Sequence, residues 1–147
     1  MTELEIFMLQ AQNNQGTGMY QVALAFSIWV AFRVSGIAGQ QYSDSIVVKL
    51  AATGFGLGTL FFFNMTYAFW SWNMEATAHR LVELQNSGTE LSGLAQGFVE
   101  NMGATATVPS FSIIPSDPVA VVLQVSILVL IMLPIWAPKK YFEETPL

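Results

Sequence analysis

The stretch IVVKLAATGFGLGTLFFFNMTYAFWSW, residues 46–72, holds the features from which the rest of the chain can be interpreted. About 20 apolar residues in an α-helix cross the hydrocarbon core of a bilayer. This stretch has 27 residues, so a spanning helix here must tilt or protrude. Lys49 near its start and Tyr67, Trp70 and Trp72 near its end are typical of the two membrane interfaces. The stretch therefore predicts a membrane-spanning helix.

Small residues on this span indicate where another helix can approach. Gly54 and Gly58 form a GxxxG pair, and small residues at that spacing mark contact faces between membrane helices. A second ridge of small residues recurs at every fourth position of the preceding apolar segment: Ala23, Ser27, Ala31 and Ser35. We expect these surfaces to pack helices together, either within one chain or between copies of it.

Polar residues of the same span share one stripe. Helical spacing places on that stripe Lys49, Thr53, Gly56, Asn64, Tyr67 and Ser71. A polar stripe on a spanning helix turns away from lipid, toward a neighbouring helix or a water-filled cavity. Two interpretations of Thr53 and Asn64 therefore stay open. They either form interhelical hydrogen bonds, worth about 0.6–2 kcal/mol for Asn64, or line a pore or a ligand site.

The composition of the chain is that of a membrane protein. Of its 147 residues, 53% are hydrophobic and 10% are charged, whereas soluble domains carry about 25% charged residues. The net charge of −5 argues against nucleic-acid binding, which requires basic patches. The chain has no cysteine, which excludes disulfides, thiolate nucleophiles and cysteine-ligated metal centres.

Two further apolar segments are long enough to cross a membrane. The first covers residues 18–37, and its acidic upstream region argues against a signal peptide. A short polar link, residues 36–45, makes this segment an antiparallel neighbour of the glycine-rich span. The other covers residues 118–136, where Pro118 suits a first helical turn and Pro134 should kink or end the helix. We predict an all-α integral membrane protein, a bundle with three transmembrane helices.

The remaining segments are expected outside the hydrocarbon core. Residues 1–15 are typical of an amphipathic interfacial segment, ended by a turn at residues 13–16. Residues 73–117 predict an extramembrane helical hairpin followed by an irregular loop. The second hairpin helix should start at a capping box of Ser87 and Glu90 and extend to Met102. Its apolar stripe, Leu91, Leu94, Phe98 and Met102, is expected to pack on Leu81, Val82 and Leu84.

Basic residues predict the orientation in the membrane. Four of them lie at one set of helix ends: Arg33, Lys49, Lys139 and Lys140. Arg80 alone lies on the other side. The positive-inside rule then places the N-terminus and the hairpin outside. The tail, residues 137–147, would be cytoplasmic in a multi-pass protein of a bacterial-type inner membrane.

Few residues suggest chemistry. Glu75, His79 and Glu83 lie four apart and would share a helix face, which suits either a metal ion or i,i+4 pairs on a solvated surface. We favour the pairs and predict neither a metal site nor catalytic residues. The aromatic residues in the second half of residues 46–72 could line a site for a lipid, quinone or pigment, or face the membrane. No cofactor is expected, although a bound lipid is compatible with these features.

The sequence favours a non-enzymatic membrane protein that forms a homo-oligomer through its small-residue ridges and buried polar residues, the latter being Thr53, Asn64 and Gln124. No span carries Asp or Glu near its centre, which argues against an ion-coupled transporter. Two alternatives remain. One is an oligomeric pore lined by the polar stripe, and the other is an accessory subunit whose hairpin docks on a protein partner. An enzyme acting on lipid comes last.

Overall fold

A computed structural model describes residues 1–137 and contains four α-helices within that range. They are α1 (Glu3–Gln40), α2 (Ile46–Asn86), α3 (Gly93–Met102) and α4 (Pro118–Trp136). By length and composition, α1, α2 and α4 can each cross a membrane. The all-α class with three candidate spans is confirmed. Lys139, Lys140 and nearly all of the predicted tail lie outside the described residues.

The first helix, α1, is continuous over 38 residues, so the turn expected at residues 13–16 is wrong. Asparagine favours turns when its side chain bonds the local backbone. Here the side chains of Asn13 and Asn14 bond Asn73 on α2 instead. Gly16 is kept inside the helix at a cost of about 1 kcal/mol relative to alanine. The predicted interfacial segment is thus the first part of α1.

The second helix, α2, continues well beyond the predicted span, as the helix-forming residues after Asn73 indicate. It ends at Asn86 and is followed by Gly88, whose φ of 91° lies in the left-handed region. The Thr89 N–H returns to the Leu84 carbonyl at 3.4 Å. This is the geometry in which glycine ends a helix most easily, because it has no Cβ.

The third helix, α3, begins later than expected, and the capping box of Ser87 and Glu90 is wrong. The Ser87 hydroxyl donates to a carbonyl in the last turn of α2, so this serine bonds the end of the preceding helix and does not start α3. The N-cap is Ser92, whose hydroxyl accepts from the Ala95 N–H at 3.3 Å. The helix ends at Met102, as predicted.

The fourth helix, α4, has the predicted bounds. The Asp117 carboxylate caps its first turn by accepting from the Val119 N–H at 2.9 Å. Pro118 follows at the first helical position, where its missing N–H costs nothing. Pro134 lies in the last turn, and the helix ends two residues later at Trp136.

The chain divides into two compact units. Unit 1 comprises Met1–Tyr20 and Met65–Ile114, and unit 2 comprises Gln21–Asn64 together with the chain from Pro115 onward. The buried core of unit 2 draws on α1, α2 and α4 and contains Ile28, Ala31, Ala38, Ala52, Ile127, Ile131 and Ile135. Each unit therefore has an apolar core of its own.

The core of unit 1 contains most of the predicted hairpin contacts. It joins Leu81 and Leu84 of α2 to Leu91, Ala95 and Phe98 of the α3 region. Leu94 is an exception, because its side chain is 76% exposed. The first turns of α1 complete this core: Ile6 is buried, and Phe7 meets Phe98 edge to face with 6.0 Å between ring centroids.

Candidate functional site

The part of the α2 polar stripe that lies in unit 2 faces α4. Asn64 Oδ1 accepts from Gln124 Nε2 at 3.0 Å. Thr53 Oγ1 accepts from the indole N–H of Trp136, also at 3.0 Å. Lys49 Nζ lies 5.6 Å from the centroid of the same indole ring, within cation–π range. Side chains of α4 thus partner the polar groups of α2 within the same chain.

Close packing in unit 2 depends on two glycines that are not part of the GxxxG pair. A Cβ built on Gly56 would lie 2.5 Å from Cγ2 of the buried Ile131. A Cβ on Gly39, near the end of α1, would overlap the backbone carbonyl of Pro134. These positions allow α1 and α2 to approach α4, because no side chain intervenes.

Gly54 and Gly58 lie on the other side of α2. Two residues turn an α-helix by about 200°, so this pair projects away from Gly56. Apart from the backbone of α2 itself, a Cβ on Gly54 or on Gly58 would meet no heavy atom within 4 Å in the described part of the chain. Within residues 1–137 the glycine pair therefore makes no close contact with α1 or α4. Exposed apolar side chains surround the pair: Val47, Leu50, Phe61 and Phe62.

The small-residue ridge of α1 is only partly used within the chain. Ala31 and Ser35 are each 1% exposed, and the Ser35 hydroxyl donates to the Phe32 carbonyl at 2.9 Å. Ala23 is exposed, and the half-buried Ser27 donates to its carbonyl at 3.0 Å. The C-terminal half of the ridge packs inside unit 2, whereas the N-terminal half remains on the surface.

Three asparagines, Asn13, Asn14 and Asn73, join α1 and α2 in unit 1, a contact that we did not predict from the sequence. Asn13 Nδ2 donates to Asn73 Oδ1, and Asn73 Nδ2 donates to Asn14 Oδ1, each at 3.0 Å. Asn73 is buried, so these bonds replace water. A signal was present: Asn13 lies 28 residues before Gln41, and Asn73 lies 28 residues after Ser45. Antiparallel helices joined by residues 41–45 bring such positions to the same level.

A cleft of about 430 Å³ opens beside these amides within unit 1. Its walls combine the aromatic residues Tyr20, Phe69 and Trp72 with the amides of Gln12, Asn13 and Asn73. The Trp72 indole N–H donates to the Pro109 carbonyl at 3.3 Å, which fixes the ring. Gly16 forms part of the wall, where a Cβ would meet nothing within 4 Å. The described residues that line the cleft carry no charge.

The aromatic cluster of α2 separates into three environments. Phe61 and Phe62 are exposed, and Phe63 packs on the core of unit 2. Phe69 and Trp72 line the cleft of unit 1. Phe111 contacts both of them, with 5.0 Å to the Phe69 ring and 6.4 Å to the Trp72 ring between centroids. A single ligand site for the whole cluster does not form.

The histidine of unit 1 has a neighbour at each ring nitrogen. His79 Nδ1 lies 3.1 Å from the Thr105 carbonyl oxygen, and Nε2 lies 3.5 Å from Glu83 Oε1. The i,i+4 pair is therefore present, but the expected solvated face is wrong for His79, which is 8% exposed. Within residues 1–137, no group of three or more His, Asp or Glu side chains could hold a metal ion.

A function for this chain must be argued from its geometry, because comparison with known proteins finds no match. No protein-family model matches the chain, and searches of curated proteins and of solved structures find no match either.

Proposed function

We propose that the chain is a non-enzymatic, three-span membrane protein that self-associates through the Gly54–Gly58 face of α2. The observation that carries the proposal is the contrast between two sides of one helix. Gly56 is in close contact with α4, whereas Gly54 and Gly58 meet nothing in the described chain. In lipid, an open pair of glycines favours the approach of a second helix, because backbone surfaces then come into direct contact.

Helix length and charge support a membrane position for unit 2. The helices α1 and α2 have 38 and 41 residues. At about 1.5 Å per residue they measure roughly twice the 30 Å hydrocarbon core. Charged side chains of unit 1 favour water and include Glu3, Glu5, Glu75, Arg80, Glu83, Glu90 and Glu100. We therefore place unit 2 in the bilayer and unit 1 outside it.

The positive-inside rule supports an external unit 1. Arg33 and Lys49 lie near the ends of α1 and α2 that flank residues 41–45, whereas Arg80 is the basic side chain of unit 1 other than His79. An excess of Lys and Arg marks the cytoplasmic side of a membrane protein. The link would then be cytoplasmic and the N-terminus external.

The pore alternative receives less support than self-association. Thr53 and Asn64 bond Trp136 and Gln124 of the same chain, so exposing them to a water-filled path would require those contacts to rearrange. The accessory-subunit alternative relied on the hairpin, whose apolar stripe is largely covered within unit 1. Neither alternative has a specific observation in its favour.

The proposal is tested by native mass spectrometry of the protein released from a mild detergent. The wild type should give one closed oligomer, and the double variant Gly54→Ile, Gly58→Ile should give monomer, because the side chains hold two helices apart. Gly36→Ile is the control, since Gly36 also meets nothing within 4 Å but lies on α1. All three substitutions raise helix propensity. A monomeric wild type, or an equal loss of oligomer in the control, would contradict the proposal.

A further inference from the structure

The cleft of unit 1 has the composition of a small-molecule site. Its volume of about 430 Å³ falls within the roughly 300–1,000 Å³ that such sites occupy. Sites of this kind combine an apolar or aromatic wall with a few convergent polar groups. Here the wall is formed by Tyr20, Phe69 and Trp72, and the polar groups are carboxamides and the Thr17 hydroxyl.

The charge of the lining selects against ionic ligands. Phosphate and carboxylate groups are recognised by Arg, Lys or clustered N–H donors, and the described lining residues include no cation. A quaternary ammonium group could lie against aromatic rings, but it has no hydrogen-bonding atoms. It would make no hydrogen bond to the Gln12 amide or to the part of the Asn13 amide that Asn73 does not use. An uncharged ligand fits the lining better than either.

The amides require a ligand that both donates and accepts hydrogen bonds. Each carboxamide offers two N–H donors and an oxygen with two acceptor positions. The contacts among Asn13, Asn73 and Asn14 use only part of this capacity. A quinone carbonyl accepts but does not donate, whereas a hydroxyl group does both. A compact ring that carries hydroxyl groups fits both parts of the lining. Its hydroxyl groups would hydrogen-bond to the carboxamides, and its C–H faces would pack on the aromatic rings.

We propose that this cleft binds the uncharged, hydroxyl-bearing sugar head group of an amphiphile. We infer the apolar part of the ligand from the residues that follow the cleft along α1. The segment that lines the cleft carries Gln12, Asn13 and Thr17, and the same segment of unit 1 then presents Met19, which is 71% exposed. A head group in the cleft would have its lipid chains beside this apolar side chain. This step rests on the membrane placement proposed above.

Two glycines of α1 provide a matched pair of variants. Gly16 lines the cleft and Gly18 does not, and a Cβ on either would meet nothing within 4 Å. Gly16→Leu places a side chain in the cleft, and Gly18→Leu makes the same change outside it. Both changes should favour the helix, so a loss of binding in Gly16→Leu alone would not reflect unfolding.

The experiment uses the full chain in phosphatidylcholine nanodiscs that contain equal small fractions of monoglucosyl diacylglycerol and phosphatidylglycerol. Purification must avoid maltoside and glucoside detergents, because their sugar head groups would compete. Native mass spectrometry then identifies the lipid retained by each variant. The wild type and Gly18→Leu should retain the glycolipid in preference to phosphatidylglycerol, and Gly16→Leu should lose it.

Three results would overturn the proposal: no glycolipid on the wild type, equal retention of the two lipids, or retention unchanged in Gly16→Leu. Retention of phosphatidylcholine instead would assign the cleft to a quaternary ammonium group and would also overturn it. The same spectra report the oligomeric state. A wild type that is monomeric but retains the glycolipid would contradict self-association alone. A wild type that is oligomeric but retains no glycolipid would contradict glycolipid binding alone.

Discussion

At the scale of the residue, the bond between Asn64 and Gln124 explains how a carboxamide is accommodated in the middle of an apolar helix. We predict that Asn64→Leu lowers the free energy of unfolding by about 0.6–2 kcal/mol, the range for interhelical hydrogen bonds in membranes. Gln124→Leu should have a similar effect. The double variant should cost less than the sum, because the two residues share one bond. Unfolding by steric trapping in bicelles measures all three.

The control for these three variants is Ser126→Ala, which lies on α4 as Gln124 does. Ser126 donates to the Val122 carbonyl of α4 itself, so its loss should change stability little. Conductance of reconstituted liposomes adds a second readout. If Asn64→Leu alters conductance while the oligomer persists, the pore interpretation gains support and the bond is not the main role of Asn64.

At the scale of the element, the start of α1 is joined to the start of α3 through one carboxylate. Glu3 Oε1 accepts from the Ser92 hydroxyl at 2.5 Å, and Glu3 Oε2 accepts from the Ser92 N–H at 2.9 Å. These bonds hold the pKa of Glu3 below its ordinary value. Ser92 is also the N-cap of α3, so one residue supports the helix and its attachment to α1.

This contact predicts that unit 1 loses stability in acid. Because the folded-state pKa of Glu3 is below the unfolded-state value, the stabilisation is complete above the unfolded value of about 4.3. It is lost as the pH falls through the folded-state pKa. The pKa of Glu5 is also lowered, mainly by the Thr2 backbone N–H, so Glu3→Gln should reduce the acid loss without abolishing it.

Hydrogen exchange of the α3 amides as a function of pH measures this effect. Wild-type α3 should exchange faster, after correction for intrinsic rates, as the solution becomes acidic. Glu100→Gln, at an exposed position of the same helix, is the control and should keep the wild-type pH dependence. A Glu3→Gln variant with an unchanged dependence would show that the carboxylate does not attach α3.

Local signals predicted the elements whose ends are set locally. Pro118 and Trp136 define α4 in both the sequence and the structure. The turn at residues 13–16 was mispredicted because its amides bond another helix. The cap of α3 was mispredicted because the Ser87 hydroxyl bonds the end of α2. Ser92, which caps the helix instead, also binds Glu3, 89 residues away, and no local pattern contains that contact.

The same distinction applies to the candidate sites. The polar character of Thr53, Asn64 and Gln124 was visible in the sequence, but their partners required the packing of α4 on α2. The GxxxG pattern identified Gly54 and Gly58, although the close contact within the chain uses Gly56. The cleft was not predicted, because its lining comes from two segments that are distant in the chain, residues 12–20 and 66–73.

At the scale of the whole molecule, the proposed topology can be measured directly because the chain has no cysteine. Glu100 of unit 1 and Gln41 of the link are both exposed. On intact cells, a membrane-impermeant maleimide should label the Glu100→Cys variant. It should label the Gln41→Cys variant only after permeabilisation, because the link is expected in the cytoplasm. The parent chain is the unlabelled control, and the opposite pattern would invert the topology.

The different surroundings of the glycines also predict which of these positions can vary among relatives of this chain. A side chain at position 39 or 56 would overlap Pro134 or Ile131, so relatives of this chain should keep glycine at both. Positions 18 and 36 have open space and should drift toward alanine or larger residues. Positions 54 and 58 have open space as well, so folding of one chain does not restrict them. If lineages nevertheless keep them small, selection is acting on a neighbour, and natural variation would then record the assembly.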